Sequence, residues 1–201
     1  LIKMHYLDPQ FIIETLGLIG VVSIIFAESG LFFGFFLPGD SLLFTAGLLA
    51  SQNFLSIQYL VIFGIIAAIA GDSVGYAFGK KVGPKIFTKE DSLIRNKKHI
   101  EKSRKFFEKY GPKAIILARF MPIVRTFTPI LAGVGTMEYK LFLRYNIIGG
   151  VLWVASMSIG GYFFGKLIPN PDKYLLPIIG LIIFLSILPG ILEFIKSRKN
   201  K

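Results

Sequence analysis

Two arginines flank a proline inside an apolar stretch, and that arrangement limits what the chain can become. The stretch is Ala118-Arg119-Phe120-Met121-Pro122-Ile123-Val124-Arg125-Thr126, set between the apolar runs Ala114–Ala118 and Phe127–Val134. An arginine at bilayer depth costs on the order of 2.5–3.5 kcal/mol on insertion scales. Pro122 removes a backbone donor, so a helix here bends or breaks. In an unbroken helix the six-residue spacing would turn Arg119 and Arg125 roughly 120° apart. A break near Pro122 lets both guanidinium groups face one polar pocket. Two forked cations in such a pocket suit a phosphate or a carboxylate.

The reason to place this stretch in a bilayer is the patterning of the whole chain. Of its 201 residues 53% are apolar, and the charges gather in a few places. That is the signature of a multi-spanning membrane protein. The absence of cysteine excludes disulfides and thiolate metal sites. A net charge of +11 raises the question of nucleic acid, but 12 of the 23 Lys and Arg lie between Lys80 and Lys113. Four more lie in Lys196–Lys201. Basic clusters beside membrane segments report orientation and anionic lipid, so no nucleic-acid partner is implied.

Taken in order, Phe11–Ala27 crosses the bilayer or nearly so, and Glu28 stands at its end. Residues 28–50 read as a re-entrant hairpin, because two short apolar arms surround the breaker Pro38-Gly39-Asp40. A second crossing is expected at 57–79, with Gly71-Asp72-Ser73 inside it and Lys80-Lys81 at its cytoplasmic end. The basic segment 80–113 fits an amphipathic surface helix or a solvated linker equally well. A second hairpin, 114–136, holds the arginines. Crossings are expected at 141–165 and 175–195, with a cytoplasmic C-terminus. The expected class is therefore an all-α integral membrane fold, one domain over 1–201.

A shift of 86 residues superposes Ala46-Gly47 on Ala132-Gly133, Tyr59 on Tyr145 and Gly64 on Gly150. It also lays Gly75-Tyr76-x-Phe78-Gly79-Lys80 on Gly161-Tyr162-x-Phe164-Gly165-Lys166. Shared helix composition does not account for the second match. Each repeat would be one hairpin followed by one crossing. With the linker held on one side, the second copy is inverted, and broken segments at matching positions point to a transport site near the midplane.

One hairpin then brings acid, Asp40 with Glu28 at its base, and the other brings Arg119 and Arg125. A charged carboxylate at this depth is costly. Glu28 and Asp40 either exchange protons during a cycle or form a static ion pair with an arginine, and both readings stay open. Asp72 has the weaker claim and fits a structural role. Tyr76 and Tyr162 read as interface anchors and Trp153 as a packing residue. Enzymes fit poorly: His5 and His99 are far from the arginines, and no His-Glu-x-x-His pattern occurs. The two Gly-Asp pairs, Gly39-Asp40 and Gly71-Asp72, lack the flanks of intramembrane aspartyl proteases.

Four segments carry a resemblance. They are Phe26-Ala-Glu28-Ser-Gly30, Phe36-Leu-Pro38-Gly39-Asp40-Ser41, Gly71-Asp72-x-x-Gly75-Tyr76-x-x-Gly79 and Arg119-Phe-x-Pro122-x-x-Arg125-Thr126. From Phe11 to Leu167 the chain resembles the DedA family of bacterial membrane proteins, within the VTT-domain superfamily. The resemblance matches Glu28, Asp40, Arg119 and Arg125 to the family's functional charged positions. It implies facing re-entrant hairpins and lipid movement between leaflets. For bacterial members it implies recycling of undecaprenyl phosphate with dependence on the proton gradient; eukaryotic relatives scramble phospholipids.

The resulting expectation is a flippase for a lipid phosphate in the bacterial inner membrane. Arg119 and Arg125 hold the phosphate, Glu28 and Asp40 couple protons, and Pro38, Gly39, Asp72, Pro122 and Thr126 support them. No metal or cofactor is expected. Lys80–Lys113 would rest on anionic lipid, and a homo-oligomer is compatible with the pattern. A phospholipid scramblase, a proton-coupled antiporter of small cations or drugs and a non-transporting membrane assembly factor are the alternatives.

Overall fold

The computed structural model describes residues 9–31, 37–86 and 107–167, and the regular elements among them are helices. In chain order they are α1 (Pro9–Gly30), α2 (Gly39–Ser51), α3 (Ile57–Ile86), α4 (Lys113–Ala118), α5 (Pro122–Val134) and α6 (Tyr139–Leu167). Helices satisfy their backbone groups internally, which is what a chain this apolar needs in hydrocarbon. The expected crossing at 175–195, most of the basic segment 80–113 and part of the first hairpin fall outside the described residues.

Two helices among the described residues are long and apolar enough to cross a membrane, Ile57–Val82 and Tyr139–Leu167. At 1.5 Å per residue they measure about 39 and 44 Å, more than the ~30 Å hydrocarbon core. They cover the segments 57–79 and 141–165. Helix α3 runs on through Lys80-Lys81 to Ile86, so the basic segment begins as helix. Lysines near a C-terminal end complement the helix dipole.

The first expected crossing, 11–27, is interrupted. Gly17 sits at φ 57° and ψ −147°, a conformation open to glycine and strained for other residues, and α1 kinks there. Its apolar continuation, Leu16–Gly30, is about 22 Å long and falls short of the ~30 Å core.

The chain divides into two compact units. One comprises Leu1–Ile25, Phe36–Ala67 and Leu152–Lys201. Within it the backbones of α2 and α6 touch. A Cβ added to Gly47 would strike the Ser158 carbonyl, and one added to Gly161 would strike that of Phe44. The rings of Phe44 and Phe164 pack 5.7 Å apart beside Leu48.

The other unit comprises Phe26–Phe35 and Ala68–Val151. Here α5 lies equally close to α3: a Cβ on Gly133 would strike the Tyr76 carbonyl, and one on Gly79 that of Ile130. Tyr76, Phe107, Ala114, Ile115, Ala132 and Phe142 form its core, with the Tyr76 and Phe142 rings 4.7 Å apart. Tyr76 is thus buried, and its hydroxyl donates to the Met137 carbonyl. The interface-anchor expectation is corrected: a partner for the hydroxyl exists inside the protein.

These contacts relate the units to the sequence repeat. Gly47 and Phe44 of α2 match Gly133 and Ile130 of α5 under the 86-residue shift. On the longer helices Gly161 takes the place that Gly79 takes, one helical turn from its sequence match at Gly75. The closest backbone approach in each compact unit therefore pairs a short helix with the long helix farther from it in sequence, α2 with α6 and α5 with α3. Both short helices also end alike. Asn53 (φ 68°) and Thr136 (φ 58°) adopt the left-handed conformation. Phe54 N then bonds Leu49 O at 3.1 Å, and Met137 N bonds Ala132 O at 3.0 Å.

Candidate functional site

The break expected near Pro122 is present. The amides of Arg119, Phe120 and Met121 fold back onto the carbonyls three residues earlier, at 3.3, 3.2 and 2.9 Å, which tightens the end of α4. Met121 is extended (φ −119°, ψ 103°), as residues before proline prefer, and Pro122 opens α5. Pro129 inside α5 offers no N–H to the Arg125 carbonyl, a second local weakening of the ladder. Arg119 thus closes one short helix and Arg125 lies in the first turn of the next.

Arg119 is 3% exposed. Its Nη2 donates to Asp72 Oδ2 at 2.5 Å, to Asn146 Oδ1 at 2.5 Å and to the Ala68 carbonyl at 3.2 Å. The Asn146 amide nitrogen in turn donates to the Ile69 carbonyl at 3.1 Å. Room for the arginine comes from Gly149-Gly150. A Cβ on Gly149 would lie 3.4 Å from Arg119 Cδ, and one on Gly150 would lie 3.7 Å from Cζ.

Arg125, 7% exposed, donates through Nη2 to Oε1 of Glu28, itself 1% exposed. Glu28 reaches it because the end of α1 crosses α3 at Gly30 and Gly71. A Cβ on Gly30 would come within 3.0 Å of the Gly71 carbonyl. Asp72 and Glu28 thus each face one arginine, Arg119 and Arg125 respectively, within one compact unit. Thr126, next to Arg125, is also buried.

In the other unit, Pro38 precedes α2 and Ser41 Oγ donates to its carbonyl at 3.0 Å. Gly39 and Asp40 form the first turn, where a carboxylate complements the helix dipole. Asp40 Oδ1 accepts a hydrogen bond from Trp153 Nε1 at 2.7 Å. Trp153 is fully buried, as a packing residue should be, but it also serves as a donor.

The structure thus brings Glu28, Asp72, Arg119, Pro122, Arg125 and Thr126 into one unit, and Pro38, Gly39 and Asp40 into the other. Asp72, given a minor place from sequence, is a direct partner of Arg119. Asn146 was missed. Its signal was legible: an amide in an apolar crossing, one turn before Gly149-Gly150, costs free energy unless paired.

Comparison with known proteins now bears on this geometry. The VTT-domain family model matches residues 37–163. The DedA protein of Escherichia coli K12 is 48% identical over 178 residues, covering 88% of this chain and 81% of that protein. An uncharacterized membrane protein of Mycobacterium leprae is 41% identical over 189 residues, 94% of this chain and 84% of that one. The inner membrane protein YqjA of E. coli K12 is 33% identical over 144 residues, 71% of this chain and 65% of that one. No solved structure matches. With bilayer-length helices and a VTT-domain match that takes in Asp40, Asp72, Arg119 and Arg125, the chain belongs to the DedA family of VTT-domain membrane proteins.

Proposed function

We propose that the protein carries a lipid phosphate, a polyprenyl phosphate of the undecaprenyl kind, between the leaflets of the bacterial inner membrane, driven by the proton gradient. The observation that carries this reading is the buried Arg125–Glu28 pair at the helix break, beside Arg119. A guanidinium fork grips carboxylate and phosphate oxygens with the same geometry, so Glu28 and a headgroup compete for Arg125. Protonation of Glu28 weakens its hold and opens the fork to phosphate. Loss of that proton restores the pair and expels the headgroup. Asp40, held by Trp153, is the second proton-exchanging carboxylate. The isoprenoid tail stays in lipid, which is why few polar residues suffice. In this reading the two repeats are inverted, with Lys80–Lys113 and the C-terminus on the cytoplasmic face against anionic lipid.

Reconstitution in liposomes tests it. Polyprenyl phosphate flux that rises with an imposed proton gradient, without matching flux of phosphatidylcholine, supports the reading. Equal rates for both lipids identify a scramblase. Proton-driven cation movement without lipid flux identifies an antiporter, and folded protein without any flux leaves the assembly-factor role.

A further inference from the structure

Arg119 is tied to two long helices at once. Asp72 and the Ala68 carbonyl reach it from α3, and Asn146 reaches it from α6. Asn146 is itself fixed, because its nitrogen donates to Ile69 while its oxygen faces the guanidinium. The opposite amide orientation would set donor against donor at the guanidinium and acceptor against acceptor at the Ile69 carbonyl. Gly149 and Gly150 complete the slot around the arginine stem.

Resting on the lipid-phosphate reading, we infer that Asn146 and Asp72 are positioning residues that clamp Arg119 as a fixed cation. Arg119 then sets the field and register of the break. The chemistry of the clamp asks for one carboxylate and one neutral oxygen around Nη2, supplied from either helix.

The test is a carboxylate exchange. Asp72→Asn, Asn146→Asp, Asn146→Leu and the double variant Asp72→Asn with Asn146→Asp are purified and reconstituted. Two quantities are read, the thermal midpoint in detergent and polyprenyl phosphate flux per folded molecule. Asp72→Asn keeps an acceptor oxygen but removes the counter-charge of Arg119, and should lower both, flux by about tenfold, the weight of one charge-assisted interaction. The double variant moves the carboxylate from α3 to α6 but gives up the Asn146 donor to the Ile69 carbonyl, so it should recover part of both relative to Asp72→Asn. A midpoint no higher than that of Asp72→Asn overturns the clamp. A partly recovered midpoint with flux still at the Asp72→Asn level overturns the positioning role and assigns Asp72 a task of its own.

The single variants at Asn146 serve should Asp72→Asn fail to fold. Positioning predicts that Asn146→Asp, which keeps the acceptor, outperforms the apolar Asn146→Leu. A mere packing role predicts the reverse order, which would overturn the proposal. The midpoints do not depend on transport, so absent flux in the wild type would count against the lipid-phosphate reading while leaving the clamp testable.

Discussion

Arg125 and Glu28 form a buried ion pair across 97 positions of sequence. The pair exists because α1 ends against α3 at the Gly30–Gly71 crossing, and because the chain restarts its helix at Pro122, three residues before Arg125. A charge placed so deep has little to gain in stability from being there. Replacing a buried ion pair by apolar groups of similar volume is often neutral or favourable. In the proposed cycle the pair opens to admit the headgroup.

The pair has a stability signature. Glu28→Gln removes a counter-charge from the buried guanidinium and should cost up to about 3–5 kcal/mol, read as a lowered midpoint in detergent. Glu28→Leu combined with Arg125→Met should recover most of that loss yet carry no lipid phosphate. Recovery of both stability and flux would show that the pair has no part in transport.

Asp40 and Trp153 allow a separate test in the other unit. Trp153→Phe keeps an aromatic ring but loses the indole donor, and should destabilise by about 1.5–3 kcal/mol, the range for a hydrogen bond to a charged acceptor. Asp40→Asn keeps an acceptor for the indole and removes the exchangeable proton. Its flux should become insensitive to an imposed proton gradient, while its midpoint stays near that of the wild type. A collapsed midpoint with gradient-sensitive flux would make Asp40 structural.

The two backbone contacts between short and long helices should be equally intolerant. Gly47→Val and Gly133→Val force side-chain atoms into the carbonyls of Ser158 and Tyr76 and should each lose at least 1–3 kcal/mol, the usual cost of overpacking. Gly160→Ala is the control. Nothing lies within 4 Å of a Cβ there, and alanine should stabilise the helix by up to about 1 kcal/mol. Midpoints of the three variants decide the matter. A tolerated Gly133→Val would mean that α5 and α3 do not touch as described.

How much of this was legible in the sequence depends on the range of the interaction. The break at Pro122 is a local matter of a missing donor and a restricted neighbour, and it appears where the residues put it. The two long helices follow from apolar length. Gly17 was not legible as a kink, because glycine inside an apolar run is also ordinary packing; only its backbone angles separate the two. The pairing of charges was not legible either. Spacing names Glu28, Asp40, Asp72, Arg119 and Arg125 as costly, but which acid meets which arginine depends on helix crossings set by Gly30, Gly71 and Gly149-Gly150. The same applies to Tyr76, whose hydroxyl is satisfied by a carbonyl 61 residues away.

The central claim is that Arg125 captures a lipid phosphate with a two-pronged guanidinium, and one substitution tests it most directly. Arg125→Lys keeps the positive charge beside Glu28 but loses the planar fork that holds two phosphate oxygens at once. Polyprenyl phosphate flux is measured in proteoliposomes under a fixed proton gradient and expressed per folded molecule. The account predicts that Arg125→Lys folds with a near-native midpoint and loses flux by about tenfold or more, the weight of one lost charge-assisted hydrogen bond. Wild-type flux in the folded Arg125→Lys protein would contradict it.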